Sequence, residues 1–336
     1  MRAPAFWWRP EPSLQAHLLR PAAALYGVVA ARRMQRSGEA AQVPVICVGN
    51  FTVGGAGKTP AALAIAAILA TQGQKSYFLT RGYGGRLAGP VRVDATGHAA
   101  SDVGDEPLLL ARAFPTIVAR ERRAGARLAA RDGASVIVMD DGLQNPSLAK
   151  DLSLALVDGP TGIGNGLCLP AGPLRAPLTA QWPKVDAIVV VGDGAPGAAL
   201  AREAKARLKP VFRARLEPDG IVGSALRGRR VLAFAGIGRP EKFFATLEGC
   251  GAIIAQTRPF PDHHPYGTDD IRAIVAEAQA QGLDAVTTEK DFVRIAGLAG
   301  VGPLLADIRA LPVRLVVDDE AGLREFVRQR LNTSAP

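Results

Sequence analysis

A glycine-rich stretch between an apolar segment and an alanine-rich segment is the feature that most constrains the fold of this 336-residue chain. It reads VGNFTVGGAGKTPAALAIAAIL, from Val48 to Leu69. Residues 43–48 are apolar and mostly β-branched, as in a buried parallel strand. Residues 60–69 are rich in Ala, Leu and Ile, as in a helix packed on a sheet. The stretch therefore predicts a strand, a glycine loop and a helix in succession.

The glycine loop has the properties of a phosphate-binding loop. Its glycines leave backbone N–H groups free to surround an anion, and the following helix directs its positive end at the same point. Lys58 can reach the β- and γ-phosphates of a nucleotide, and the Thr59 hydroxyl can ligate Mg²⁺. The standard pattern is G-x-x-x-x-G-K-[ST], and this chain has Thr52 at its first position. The order of strand, loop, GKT and helix outweighs the alternative of an incidental glycine turn. The predicted nucleotide-binding residues are Thr52, Val53, Gly54, Gly55, Ala56, Gly57, Lys58 and Thr59.

Apolar runs and glycine turns downstream indicate the fold class. Strand-like segments occur at residues 75–85, 134–144, 151–159 and 186–194, with helical stretches between them. This βαβ repetition predicts a P-loop NTPase-like parallel sheet with helices on both faces. The succession of strand, glycine turn and helix begins again near residue 230, which predicts a smaller C-terminal α/β domain. The predicted organisation is an N-terminal helical segment (1–40), a phosphate-loop domain (41–210), a linker (211–230) and the smaller domain (231–336).

The cysteine content and the net charge indicate the cellular compartment and the kind of partner. Three scattered cysteines make a disulfide framework improbable and fit a reducing cytosolic compartment. The net charge of +9 indicates an anionic partner: nucleic acid, an anionic membrane surface or a phosphorylated substrate. Aromatic residues are only 5%, and no basic motif is interleaved with them, so we expect no nucleic-acid partner.

The N-terminal residues 13–36 combine leucines and valines with four arginines, and Phe6, Trp7 and Trp8 precede them. The uninterrupted apolar part, residues 21–31, is far shorter than the roughly 20 residues that span a bilayer. A secretory signal does not fit, because the phosphate loop begins soon afterwards and needs cytosolic nucleotide. The pattern predicts an amphipathic helix lying in the membrane interface, and an ordinary helix packed on the protein's own core stays open as the alternative.

Three further segments contain candidate catalytic or metal-binding residues. Asp140 and Asp141 end a hydrophobic strand, where at least one can hold Mg²⁺, although Asp-Gly is also a common turn. Asp105 and Glu106 precede a leucine-rich helix, and the pattern alone does not separate helix capping from a base or metal ligand near the γ-phosphate. His263 follows Asp262 in a Pro-rich loop, where a carboxylate can set the basicity of the imidazole.

Together these motifs resemble the tetraacyldisaccharide 4′-kinase family of Gram-negative bacteria. The resemblance rests on eight segments in this order along nearly the whole chain: GNFTVGGAGKTP, TRGYGG, VGDEPLLLA, MDDGLQ, LPAGPLR, FAGIGRPEKFF, FPDHHPY and TTEKD. It implies a kinase, peripheral on the cytoplasmic face of the inner membrane, that transfers the γ-phosphate of ATP to the 4′-hydroxyl of a tetraacylated glucosamine disaccharide 1-phosphate. The product would be lipid IVA, in lipid A biosynthesis. A two-stranded linker between the domains is also implied.

The resemblance also implies roles for individual residues. Asp105 and His263 fall on a catalytic pair in which Asp105 accepts the hydroxyl proton, and Lys58 assists the transfer. The implied metal ligands are Thr59, Glu106, Asp140 and Asp141. Gln144 and Arg175 fall on positions in the substrate cleft. One departure is Ala176, where the family usually has Glu after the arginine.

Two other functions remain compatible with the sequence. A nucleotide-switch ATPase that acts on a protein partner has a similar loop, but here Thr52 and Val53 stand where that class has an additional lysine. A nucleotide-dependent nucleic-acid enzyme is supported only by the net charge.

Lys58→Ala is expected to reduce phosphate transfer by about 10²–10³-fold, because the lysine neutralises charge that develops on the γ-phosphate. The measurement is the steady-state rate of γ-phosphate transfer, with circular dichroism to establish that the variant is folded. Near-normal turnover by a folded variant would remove the interpretation of this loop as a kinase phosphate site.

Overall fold

The computed structural model describes residues 3–55 and 57–333. The described chain forms a larger sheet of nine strands, in the order β13-β8-β7-β6-β1-β5-β2-β4-β3, and a smaller sheet of four, in the order β10-β9-β11-β12. The strands are β1 (Val45–Asn50), β2 (Ser76–Thr80), β3 (Val91–Arg92), β4 (Thr116–Val118), β5 (Val136–Asp140), β6 (Leu152–Asp158), β7 (Ala187–Val191), β8 (Val211–Pro218), β9 (Arg230–Ala235), β10 (Ile253–Pro259), β11 (Asp284–Thr288), β12 (Ile308–Leu311) and β13 (Val313–Val317).

Helices connect most of these strands and cover the sheets. They are α1 (Leu14–Met34), α2 (Lys58–Thr71), α3 (Ala100–Val103), α4 (Asp105–Ala111), α5 (Arg122–Arg131), α6 (Leu178–Gln181), α7 (Ala195–Ala206), α8 (Gly220–Leu226), α9 (Pro240–Gly249), α10 (Thr268–Ala280), α11 (Glu289–Ala296) and α12 (Glu320–Thr333). Three short 3₁₀ helices span Ala5–Trp8, Trp182–Lys184 and Gly302–Asp307.

The larger sheet has the predicted α/β architecture. Its seven inner strands are parallel, and the edge strands β3 and β13 pair antiparallel with their neighbours. Residues alternate between the two faces along β1: Ile46 and Val48 pack in a cluster with α2, whereas Val45 and Cys47 pack on the opposite face. Both faces are therefore buried under helices, which is why β1 is apolar throughout and fully buried. The predicted fold class is confirmed.

Two neighbouring strands carry the chain into the smaller sheet and back. β8 leaves the larger sheet before α8 and β9, and β13 returns from β12 to pair antiparallel with β8. Helix α12 then packs against β13 and β6. The sequence-based boundary placed residues 231–336 in the smaller domain, but residues 313–333 lie on the larger sheet. We propose that the smaller domain ends near residue 312 and that β8 and β13 form the linker.

Helix α1 lies on the protein surface with an unusual distribution of side chains. Its buried residues are mostly small, with Ala16, Ala23 and Gly27 facing the protein. The large apolar side chains point away from the protein, and Leu14 and Leu18 are 76% and 74% exposed. Leu25, Val28 and Val29 continue this exposed face. No helix in the described part of the chain has the length and apolarity needed to cross a bilayer.

Candidate active site

The phosphate loop joins the carboxyl end of β1 to the start of α2, at the centre of the larger sheet. Gly54 and Gly57 have φ angles of 99° and 82°, a left-handed region that favours glycine. A Cβ added at Gly54 or Gly55 would meet nothing within 4 Å, so this part of the loop borders open space. Ala56, also predicted to bind nucleotide, lies outside the described residues.

Lys58 lies close to the loop and to one of the strand-end acids. Its Nζ donates to the Gly54 carbonyl oxygen at 3.2 Å and is 3.7 Å from an Asp141 carboxylate oxygen. The Asn50 side chain also donates to Gly54, at 3.1 Å. Thr59 follows directly and is buried at the start of α2. The structure thus brings both side chains of the GKT motif to the carboxyl edge of the sheet.

Arg175 supports the base of the loop. Its Nε donates to the Thr52 carbonyl oxygen at 2.9 Å, and its two terminal nitrogens bond both oxygens of Asp141 at 2.8 and 3.0 Å. The Val53 N–H donates to Pro173 at 2.8 Å. Such a bidentate pair fixes both side chains in orientation. Arg175, which the resemblance placed in the substrate cleft, therefore holds the loop and Asp141 in register.

Gln144 also supports the loop. Its amide nitrogen donates to the Asn50 carbonyl oxygen and to Gln181, both at 2.8 Å. Gln181 is buried and donates to the carbonyl oxygens of Phe51 and Ala176. Ala176, the position where the family usually has Glu, is fully buried. These contacts give Gln144 a structural role, and a direct contact with substrate stays a prediction.

Asp140 and Asp141 differ in their surroundings. The charges of Lys58 and Arg175 outweigh burial and lower the pKa of Asp141 below its ordinary value. Asp140 is buried at the end of β5, and burial together with the charges of Glu106 and Asp141 raises its pKa to about 7. One Asp140 oxygen, Oδ1, is buried without a hydrogen-bond partner in the described structure.

The donor set at this edge fits a magnesium ion. The unpartnered Asp140 oxygen and the buried Thr59 hydroxyl are hard oxygen donors. The Glu106 carboxylate is a third, but Lys290 bonds it at 2.6 Å. Within residues 3–55 and 57–333, no three His, Cys, Asp or Glu side chains form a dedicated metal cage. A magnesium site of a nucleotide-binding loop does not require such a cage, because Mg²⁺ usually takes one or two carboxylates together with substrate phosphates and water.

Asp105 and His263 come together from the two sheets. Asp105 begins α4 beside the larger sheet, and His263 lies in the loop after β10 of the smaller sheet. The His263 Nδ1 is 3.4 Å from Asp105 Oδ2. The Asp105 side chain is 3% exposed and that of His263 is 36% exposed, so the imidazole is the accessible member of the pair. The adjacent His264 instead stacks on Phe260.

Asp105 is not the N-cap residue of α4, although its Oδ1 accepts the N–H of the next residue, Glu106, at 3.0 Å. Gly104 occupies the N-cap position of α4 with a φ of 96°, and Asp105 is the first helical residue. Burial disfavours the charged carboxylate, but the hydrogen bond with His263 and the charges of Lys290 and Arg294 hold the pKa of Asp105 well below its ordinary value. The bond with Asp105 outweighs burial and raises the pKa of His263.

Several charged residues of the cleft were not identified from the sequence. Lys290 bonds Glu106 at 2.6 Å, and Arg294 bonds Asp105 at 3.0 Å. Both lie on α11, and the TTEKD segment that starts this helix was the available signal. Because the partners are distant in the sequence, spacing alone could not pair them.

Asp158 is a third point at which the smaller sheet contacts the cleft. It ends β6 and is buried. Arg239 donates to it at 2.9 Å, and Lys242 of α9 makes a second, shorter bond. Arg239 also donates to the Gly55 carbonyl oxygen of the phosphate loop at 3.3 Å. Burial opposes ionisation, but the bonds from Arg239 and Lys242 lower the pKa of Asp158 to about 2.

Comparison with known proteins shows the family of the chain. The family model described as tetraacyldisaccharide-1-P 4′-kinase matches residues 15–332. The tetraacyldisaccharide 4′-kinase of Methylobacterium sp. (strain 4-46) is 60% identical over 326 residues, which cover 96% of this chain and 96% of that protein. The protein of the same name from Bradyrhizobium sp. (strain BTAi1) is 55% identical over 331 residues, which cover 98% of this chain and 96% of that protein.

A solved structure shares the fold. It is the "apo" form of LpxK from Aquifex aeolicus in complex with ATP, with a TM-score of 0.72 and 24% identity, over 94% of this chain and 99% of that chain. At that identity the likeness establishes the architecture of the two sheets and not the role of any residue.

Asp158→Asn is expected to lower the free energy of unfolding at pH 7 by about 1–3 kcal/mol, because Arg239 and Lys242 lose their charged acceptor. Urea denaturation measures it. The folded-state pKa of about 2 lies below the unfolded value of about 3.9. The stabilisation is therefore present above pH ~4 and lost as the pH falls toward ~2.

The matched control is Asp193→Asn, which removes an exposed acid that is 3.7 Å from Arg213 and should leave stability unchanged. Equal unfolding free energies for wild type and Asp158→Asn at neutral pH would show that this contact does not hold the smaller sheet against the cleft.

Proposed function

Because the chain belongs to the tetraacyldisaccharide-1-P 4′-kinase family, we propose that its cleft transfers the γ-phosphate of ATP to the 4′-hydroxyl of tetraacyldisaccharide 1-phosphate. The product is lipid IVA, in the biosynthesis of lipid A. The observation that carries the proposal is the meeting of Asp105 and His263 from two sheets at the edge that also holds the phosphate loop. A nucleotide switch is not favoured, because the family match spans residues 15–332.

The test is a transfer assay with ATP labelled in its γ-phosphate and the tetraacyl disaccharide 1-phosphate presented in detergent micelles. We expect label in the lipid product, in proportion to the enzyme added. ATP hydrolysis whose rate is independent of the lipid and is stimulated by a protein partner would overturn the proposal in favour of a nucleotide-switch ATPase.

The phosphate loop and the strand-end acids would hold the triphosphate. Backbone N–H groups of the described loop residues from Gly54 onward, together with the Lys58 ammonium, would neutralise its negative charge. Thr59 and Asp140 would hold Mg²⁺, which would neutralise part of the charge of the triphosphate. Glu106 was also predicted as a metal ligand, but its carboxylate is bonded by Lys290 at 2.6 Å. Asp141 was also predicted as a metal ligand, but its carboxylate is already paired with Arg175 and Lys58. We therefore assign Asp140 to the metal and Asp141 to the alignment of the loop.

The Asp105–His263 pair would accept the proton of the 4′-hydroxyl. His263 presents its imidazole to the cleft, and the Asp105 carboxylate lies behind it. A carboxylate in this position orients the imidazole and stabilises the charge that the pair takes up with the proton. The two residues then work as one unit, because the positive charge that the imidazole gains with a proton is stabilised by the Asp105 carboxylate beside it.

An arginine-lined cavity next to α1 is suited to the acidic lipid head. It has a volume of about 600 Å³ and its lining includes Arg33, Arg36, Arg120, Arg122 and Arg123 against Glu39 and Glu121. Arg122 is buried, and its Nε has no hydrogen-bond partner in the described structure. Five guanidinium groups against two carboxylates favour an anion such as the 1-phosphate of the sugar.

Helix α1 would anchor the enzyme to the cytoplasmic face of the inner membrane as a peripheral protein. Its outward leucines and valines supply apolar contact, and Arg32, Arg33 and Arg36 at its end supply attraction to anionic lipids. The helix also contacts the cleft, since the Tyr26 hydroxyl donates to the Arg175 carbonyl oxygen at 3.1 Å. An acyl chain held at this face would leave its sugar near the cleft.

If Asp105 and His263 form one unit, removing either should reduce kcat nearly as much as removing both, since effects within a catalytic unit are not additive. The variants are Asp105→Asn, His263→Ala and the double variant, and kcat and ATP affinity are measured for each. ATP affinity should survive in all three, because the loop holds the triphosphate. Losses that multiply in the double variant, or an active Asp105→Asn enzyme, would contradict the pairing.

Replacing Arg32, Arg33 and Arg36 by Gln should release protein from anionic vesicles, most clearly at low salt, because charge attraction to a membrane is screened by ions. Vesicle sedimentation measures the fraction of protein that stays bound. The matched control replaces three exposed arginines of the C-terminal part, Arg272, Arg309 and Arg314, which removes the same charge. Equal release by both triple variants would mean that net charge, not the end of α1, binds the membrane.

A further inference from the structure

We infer that Arg294, on α11 beside the smaller sheet, is a positioning residue that fixes Asp105 and the His263 loop relative to each other across the cleft. The inference rests on the proposed role of the Asp105–His263 pair. It concerns how the two sheets hold that pair, because neither sheet contains both members.

The Arg294 guanidinium contacts both sides of the cleft at once. Its Nε donates to Asp105 Oδ2 at 3.0 Å, the same carboxylate oxygen that faces His263. Both terminal nitrogens donate to the Gly236 carbonyl oxygen at 3.1 Å. The side chain is only 11% exposed, so water competes little for these bonds.

The Gly236 carbonyl oxygen connects Arg294 to the histidine. It also accepts the backbone N–H of His263 at 3.0 Å. His263 has a φ of 54°, a left-handed conformation that is rare for a residue other than glycine and persists only where its surroundings impose it. Arg294 therefore bonds the carboxylate of the pair directly and the backbone of its histidine through one shared acceptor.

Asp291 fixes the orientation of Arg294. It is fully buried and lies 3.0 Å from the Arg294 Nη1. Its carboxylate also accepts bonds from the Gly236 N–H, the Tyr266 hydroxyl and the Thr288 hydroxyl. A buried acid with this many donors has one orientation, and it transmits that orientation to the arginine.

The planar guanidinium is what this geometry requires. Three nitrogens bond three acceptors in different directions, which the single ammonium of a lysine cannot reproduce. Lys290, one turn earlier on α11, bonds Glu106 instead of Asp105. The two cations thus have separate acids, and Lys290 cannot take over the contacts of Arg294.

Arg294→Ala is expected to lower kcat by about 10²-fold, the cost of a misplacement of reacting groups by about 1 Å, with the KM for ATP near the wild-type value. Arg294→Lys should recover only part of this loss, since it restores the positive charge without the several N–H donors of the planar guanidinium. Guanidinium added in solution should raise the kcat of Arg294→Ala. The matched control is Arg272→Ala, which removes an arginine of an exposed ion pair on α10 and should be neutral.

A double-variant comparison separates positioning from a purely structural role. In a His263→Ala background, Arg294→Ala should cost little more in kcat, because the pair is already broken. Losses that multiply, or a folded Arg294→Ala with a kcat within about twofold of wild type, would overturn the inference. If Arg294→Ala does not fold, Arg294→Lys is measured in the wild-type and His263→Ala backgrounds instead. Losses of kcat that multiply, or a kcat within about twofold of wild type, would again overturn the inference.

Asp105→Asn and His263→Ala identify which proposal fails. Full activity in both variants would overturn the proposed role of the pair, and with it this inference. Loss of activity in both, together with a wild-type kcat in Arg294→Ala, would overturn only the role of Arg294.

Discussion

Charge neutralisation across the cleft is the constraint on which the rest of the structure depends. Acidic side chains are buried or half-buried at the carboxyl edge of the larger sheet, and a carboxylate removed from water is costly unless a cation or several donors satisfy it. For three of them the cations come from residues next to the smaller sheet: Arg294 with Asp105, Lys290 with Glu106, and Arg239 and Lys242 with Asp158. The smaller sheet therefore completes the site electrostatically.

The exception to this pairing is informative. Among the described residues, one buried oxygen of Asp140 has no partner, while its neighbour Asp141 is bonded by Arg175. Two adjacent acids at the end of one strand thus have different surroundings, since the left-handed backbone at Asp141 turns its side chain toward the phosphate loop. This difference supports the proposal that Asp140 serves a metal ion and Asp141 aligns the loop, a distinction that the Asp-Asp motif does not reveal.

Local patterns were sufficient for five strands of the larger sheet, β1, β2, β5, β6 and β7, and for the phosphate loop. The apolar β1, the glycines after it and the helix beginning at Lys58 are neighbours in the chain, so periodicity and turn chemistry describe them fully. The course of the last strand was not predicted. Its residues 313–317 are as apolar as a strand of either sheet, and only pairing with β8 places them in the larger one.

The sequence by itself determined the chemistry that is available: a loop for phosphate, acids at strand ends, and an Asp and a His in separate motifs. Tertiary structure decided which of these groups meet. Asp105 and Arg294 are 189 residues apart, and Glu106 and Lys290 are 184 apart. The outward direction of the α1 leucines is likewise a result of packing, because the face with Ala16, Ala23 and Gly27 is the one buried against the protein, and a Cβ at Gly27 would lie 3.3 Å from Pro177. Local sequence sets conformation over a few residues, whereas ion pairs between two sheets depend on how the sheets pack together.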